Sequence, residues 1–394
     1  MSEREKFKPL RFGTSGLRAL VTEMTDMECY INTMGFISFL KKRGKIDEKH
    51  NKIALGGDLR SSTPRIMTAV AKAIQDSGCG VVFCGTLPTP AITYYAMQNG
   101  CPSVMVTGSH IPEDRNGIKF TKKSGEVLKS DESEILENVA NARKEEYAKS
   151  DEETQFDDGG MFKASQALPP EKEDAISVYI RRYAEAFPSN CLAGLKIVLY
   201  QHSAVGRDIV KGIFEKLGAE IITAERSKKF VAVDTEKVTD KTRELLKDLA
   251  EKYKPFAVIS TDGDSDRPLL ADENGEFLPG DKLGALVSMY LKPDFAAIPI
   301  SANDAVVSAL GEKGIEVVQT KIGSPYVIKA MNDELDKNAK AKVVGWESNG
   351  GFLTGSDWTI EGKPLKALPT RDTVLPLLSA ILLAKEEAFP FQSL

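Results

Sequence analysis

The stretch VISTDGDSDRPLL sets three carboxylates, Asp262, Asp264 and Asp266, at alternating positions after an apolar run of strand length. Carboxylates so close repel one another unless a cation or an arginine compensates. With small residues between them, their oxygens can converge on one hard cation such as Mg²⁺. An EF-hand loop is the competing pattern, since Glu273 falls at the twelfth position from Asp262. It is rejected because Arg267 stands where that loop needs glycine, and a strand rather than a helix leads in. A second stretch, VTGSHIPEDRNGIKF, puts Ser109 beside His110, one of three histidines in the chain. Pro112 stops regular structure there, and Asn116-Gly117 leads on to Lys119. These residues read two ways, as an ordinary strand-to-loop exit or as a presented nucleophile. No G-x-S-x-G turn surrounds Ser109, which argues against a serine hydrolase.

Three weaker stretches also carry chemistry-bearing types. RFGTSGLR is a turn rich in hydroxyl and glycine, with Ser15 and Arg18; it suits a phosphate cradle or a plain loop. VVGWESNGGFLTG holds Glu347 and Asn349 on a glycine turn, where a carboxylate and an amide suit vicinal hydroxyls, though a hairpin would look the same. TKIGSPYVIKAM starts a helix at Gly323-Ser324 with Lys321 and Lys329 nearby, as an anion site or a simple N-cap would.

Such residues need a frame. At 394 residues the chain is long for one domain, and its acidic balance (net charge −5) with no basic stripe gives no sign of a nucleic-acid partner. The opening MSEREKFKPL has no apolar core, and no run of about 18 apolar residues suggests a membrane span. Five dispersed cysteines without metal spacing fit a reducing compartment, so a cytoplasmic protein is expected. One pattern occurs three times: IALGGDLRSSTPRIMTAVAKAIQDSGCGVVFCG, LKIVLYQHSAVGRDIVKGIFEKLGAEIITA and FAAIPISANDAVVSALGEKGIEVVQT. Each reads as a strand, a helix, a glycine break and a second strand, which predicts three related α/β domains. Charged DESEILENVANARKEEYAKSDEE closes the first, DDGGMFKASQALPPEKED is a linker, and TVLPLLSAILLAKEEA is a last helix.

Together TGSHIPEDRNGIKF, DGDSDR, FGTSGLR, GWESNGGF and LPTRD, in this order and spacing, resemble the α-D-phosphohexomutase superfamily over essentially the whole chain. The resemblance implies consecutive α/β domains with mixed sheets: 1–160 with the phosphoserine loop, 161–274 with the metal carboxylates and 275–386 for sugar recognition. The family's fourth, phosphate-clamping domain is not expected in this chain, 387–394 being a stub towards it, so poor turnover is expected. Ser109 would be the phosphoserine, and Mg²⁺ would sit on Asp262, Asp264 and Asp266 with a phosphate oxygen on Ser109. Arg18, Arg267 and Lys119 would steady phosphate oxygens, with Ser15 in the cradle, Lys119 moving a proton and His110 either supporting Ser109 or shuttling a proton. Glu347 and Asn349 would read hydroxyls, and Gly323-Ser324 would set which end of a hexose 1,6-bisphosphate faces Ser109. Hexose phosphates of mannose, glucose or both are the implied substrates. Phosphoglucosamine mutation and a non-catalytic sugar-phosphate binder are the alternatives; the second would lose the serine or the carboxylates, which this chain keeps. The sequence departs from the commonest family pattern at Gly108, Ile111 and Asn349, which leaves the sugar open.

Overall fold

The computed structural model describes residues 7–13, 16–47, 49–172 and 174–387, and the chain divides into two compact units, 1–175 and 176–394. The first unit contains β1 (Gly16–Leu20), α1 (Asp26–Lys42), β2 (Lys52–Gly57), α2 (Thr63–Asp76), β3 (Gly80–Thr86) and α3 (Thr89–Gln98). It continues with β4 (Ser103–Val106), β5 (Arg115–Lys122), β6 (Gly125–Glu126) and α4 (Lys129–Tyr147). Its sheet has the order β1-β5-β4-β2-β3, with β6 pairing β5. Here β2 is parallel to β3 and β4, while β5 is antiparallel to β4 and β1.

The second unit takes in most of α5 (Asp174–Ala186), then β7 (Lys196–His202), α6 (Arg207–Lys216), β8 (Glu220–Arg226), α7 (Asp240–Tyr253), β9 (Ala257–Thr261) and β10 (Pro268–Ala271). After these come α8 (Gly280–Leu291), β11 (Phe295–Pro299), α9 (Asp304–Glu312), β12 (Glu316–Thr320), α10 (Ser324–Lys337) and β13 (Val343–Trp346). The unit ends with β14 (Phe352–Thr354), β15 (Trp358–Ile360), β16 (Lys363–Leu365), β17 (Leu368–Asp372) and α11 (Val374–Glu387). Its two main sheets run β10-β9-β7-β8 and β12-β11-β13-β14-β17, and β15-β16 form a small hairpin.

The repeat expected from sequence is therefore present three times, as β2-α2-β3, β7-α6-β8 and β11-α9-β12, each with its two strands parallel. In each copy a third strand pairs parallel with the first on its other side, and a fourth joins antiparallel. The sheets are mixed and share one strand order. Gly78, Gly218 and Gly314, the expected breaks, all take left-handed φ (76°, 96° and 78°), which glycine adopts without the Cβ clash other residues meet.

Burial holds these elements in place. Thr25 caps α1 by accepting from Glu28 N at 3.2 Å, and α1 is buried over most of its circumference between α2 and α4. Its buried Glu28 is paired with Arg143 of α4, whose Nη2 donates to Oε2 at 2.8 Å. Segment 161–172, assigned to the second domain from sequence, packs on the first unit: Phe162 stacks on Phe156, and Lys172 N donates to Phe83 O at 2.7 Å. Among the described residues no helix is long and apolar enough to cross a membrane.

In every copy, the turn between the third and fourth strands carries candidate chemistry. Ser109 lies between β4 and β5, the three aspartates between β9 and β10, and Glu347 with Asn349 between β13 and β14. Each such turn begins at the carboxyl end of a strand parallel to its neighbour, where open α/β sheets bind ligands.

Candidate active site

In the first unit, β4 is wholly buried and leaves the sheet at Thr107, whose N donates to Gly117 O at 3.0 Å. Ser109 then takes φ 56°, a left-handed conformation that costs a non-glycine residue on the order of 1–2 kcal/mol. Its N donates to Thr107 Oγ1 at 2.8 Å, and Ile111 N closes the turn on Gly108 O. The Ser109 side chain is buried, with Oγ 3.4 Å from His110 Nδ1. Register places Arg18 opposite Gly117 and Lys119 two residues further along β5, so both cations stand on one face of the β1–β5 pair. A side chain at Gly117 would meet Leu17 O at 2.4 Å and Thr107 O at 2.7 Å, so glycine lets β5 pack this closely on its neighbours. Lys119 is buried and Arg18 exposed. Ser15 lies outside the described residues.

Sequence reasoning passed over the support beneath this loop. Asp58 and Arg60, at the end of β2, are fully buried and paired, Nε to Oδ2 at 3.2 Å. Thr63 and Thr107 hydroxyls each donate to the Asp58 carboxylate at 2.7 Å. Burial pushes the Asp58 carboxyl up, and Arg60 together with these hydroxyls opposes it. Asn116 donates to the Ser62 and Thr63 hydroxyls at 2.9 and 3.1 Å, tying the loop's far end to the start of α2.

In the second unit, Asp262, Asp264 and Asp266 are all buried and offer ligand atoms within 4.8 Å of one another. The turn is held by its own backbone. Asp262 Oδ1 accepts from the N–H groups of Asp266 and Arg267, each at 3.2 Å, and Asp262 N donates to Arg267 O at 3.0 Å. Ser265 takes φ 55°, and its hydroxyl accepts from Gly206 N at 2.9 Å. Three converging hard oxygens fit Mg²⁺ by charge and donor type, and a divalent cation would relieve their mutual repulsion.

Two arginines flank that turn. Arg267 Nε lies 3.7 Å from Asp266 Oδ1, and Arg371 Nε donates to Asp266 Oδ2 at 3.1 Å. Arg371 Nη1 also donates to Glu347 Oε2 at 2.7 Å, so one buried guanidinium joins the acidic turn to the glutamate turn. This arginine sits in LPTRD, where sequence showed its presence but not its partners. The next residue, Asp372, is buried and takes the hydroxyls of Tyr179 and Tyr183 from α5. Burial raises the Asp372 carboxyl, opposed by Arg182 and Tyr179. Asn349 Oδ1 is spent on Gly351 N at 3.0 Å, and Asn349 O accepts from Thr235 at 2.8 Å. Gly323, at φ 123°, and buried Ser324 begin α10 beyond the end of β12.

The three related α/β domains thus carry, in corresponding turns, a serine in a strained loop, a buried three-carboxylate turn and a glutamate–arginine pair. Models of phosphoglucomutase/phosphomannomutase α/β/α domains I, II and III match residues 9–146, 177–275 and 279–394. A phosphomannomutase of Sinorhizobium fredii is 39% identical over 98% of this chain and 77% of its own length. One from Salmonella muenchen is 40% identical over 96% and 74%. A phosphoglucosamine mutase of Aliarcobacter butzleri is 29% identical over 82% and 71%. A crystal structure described as that of a phosphomannomutase from Thermus thermophilus superposes with TM-score 0.77 at 21% identity, covering 98% of this chain and 82% of the other. The chain belongs to the phosphoglucomutase/phosphomannomutase family of the α-D-phosphohexomutase superfamily and is an enzyme of that class.

Proposed function

We propose that the chain interconverts hexose 1-phosphates and hexose 6-phosphates, with mannose or glucose phosphates as substrates and Ser109 as the phosphoryl carrier. The observation that carries this reading is Ser109 itself, buried at φ 56° on a loop fixed from both ends. Phosphoserine gives its phosphoryl group to a free sugar hydroxyl: the Oγ–P bond breaks, a sugar O–P bond forms, and a hexose 1,6-bisphosphate results. The reverse transfer from the other end restores phosphoserine. Lys119 takes the hydroxyl proton and returns it, and Arg18 and Arg267 hold phosphate oxygens. Asp262, Asp264 and Asp266 would hold Mg²⁺, which when bound neutralises charge on the transferring group. Glu347 and the Asn349 amide read sugar hydroxyls, and the Gly323-Ser324 turn sets which end faces Ser109. The higher identity to phosphomannomutases, 39–40% against 29% for a phosphoglucosamine mutase, favours hexoses over hexosamines.

Turnover of mannose, glucose and glucosamine 1-phosphates side by side, with bisphosphate activator, tests the substrate. Intact mass should show one phosphoryl group on the wild type and none on Ser109→Ala, whose turnover should vanish while its melting curve stays in place. Wild-type turnover in that variant would sink the assignment.

A further inference from the structure

Arg60 lies just after β2, in the first of the three strand–helix–strand stretches. A guanidinium has five N–H donors in a fixed plane. In Arg60 all five are spent: Nε on Asp58 Oδ2, Nη1 on Pro112 O (2.6 Å) and Arg115 O (3.0 Å), Nη2 on Ser109 O (2.9 Å) and Ile111 O. Four of the five acceptors are carbonyls of the loop that carries Ser109 and of the first residue of β5, Arg115. The side chain is fully buried, and Gly108 lets it lie flat against the loop, since a Cβ there would meet its Cζ at 2.6 Å.

We infer that Arg60 is the positioning residue for Ser109, holding that loop in the one conformation from which the hydroxyl accepts and gives phosphate. The inference rests on the reading of Ser109 as the phosphoryl carrier. The energetic argument is one of cost. A loop with four inward carbonyls, buried beside Asp58, leaves several acceptors unsatisfied without this fork, and each unsatisfied acceptor carries its full desolvation cost. The loop then rearranges, and a misplaced nucleophile of even about 1 Å can cost on the order of 10²-fold in rate. Lysine keeps the charge on Asp58 but brings three donors from one nitrogen, so it cannot hold four carbonyls in a plane.

Arg60→Lys is therefore the test, with Thr107→Val as a second variant that keeps the buried ion pair and removes the hydroxyl joining Asp58 to Ser109 N. Arg60→Lys should lose on the order of 10²-fold in kcat with KM within a few-fold, and amides of residues 107–117 should exchange hydrogen faster while those of α1 do not. Thr107→Val should show the same signature in milder form. Loss of wild-type turnover or phosphoserine would fail the carrier reading, whereas the exchange measurement reads the loop whatever the activity. Unchanged exchange over 107–117 in both variants, or wild-type kcat in Arg60→Lys, would overturn the inference.

Discussion

Asp264 shows what the acidic turn costs. It is buried within 4.8 Å of two further carboxylates, and the arginines beside the turn lie on Asp266. Without a cation, the three charges repel one another in a medium that screens poorly. Asp264→Asn removes one of them and one ligand. Activity should fall on the order of 10²-fold or more, the scale of losing one electrostatic contact to a transition state. The cation-free variant should unfold at slightly higher denaturant than the cation-free wild type. Added Mg²⁺ should raise the wild-type midpoint by mass action and move the variant little. Denaturant titrations in EDTA and in magnesium check all of this together. Equal magnesium stabilisation of both proteins would mean the turn is not the metal site.

Three elements repeat one device. In each copy the loop after the first strand reaches across to the loop after the third, its parallel neighbour. Arg60 grips the serine loop, Gly206 N donates to Ser265 Oγ at 2.9 Å beside the aspartates, and Ser301 lies 3.2 Å from Ser348 of the glutamate turn. The three turns are thus supported by residues with no motif of their own. Close helix packing is the other constraint at this scale. Gly35 of α1 meets α4 so tightly that a Cβ would fall 2.3 Å from the Val139 side chain and 2.7 Å from its backbone. Helix propensity alone says Gly35→Ala gains about 1 kcal/mol. The backbone of α4 cannot step aside as a side-chain tip would, so overpacking of about 1–3 kcal/mol wins. The variant should be less stable in urea than wild type; a more stable one would show that the α1–α4 contact yields.

Across the whole molecule, what could be read from sequence were the features that lie within one short stretch. The three strand–helix–strand units, their glycine ends and the DGDSDR carboxylates all appear where periodicity and spacing put them, because each is local. Arg60, Arg371 and the Tyr179–Tyr183–Asp372 cluster were out of reach, because, the Arg60–Asp58 pair aside, their partners lie from 24 to 193 positions away. His202 belongs with them. It is buried at the end of β7, and burial lowers its pKa from 6.5 to about 4. Its ring is neutral in the fold, Nε2–H facing a carbonyl. The unfolded chain takes a proton on this ring near pH 6.5, and the folded chain does so only near pH 4. Between those values the unfolded state binds more protons, so stability rises with pH there and is lost as pH falls through the window. The shift is worth roughly 3 kcal/mol at most. Other buried groups add their own acid dependence, so the wild type alone does not isolate this one. His202→Gln keeps an N–H for Thr261 O and removes the titration. Urea midpoints followed from about pH 7 down to about pH 4.5 should fall more steeply for wild type than for the variant, the curves converging at the acid end. Parallel curves would show that His202 titrates alike in the folded and unfolded chain, and burial would then not be holding its ring neutral.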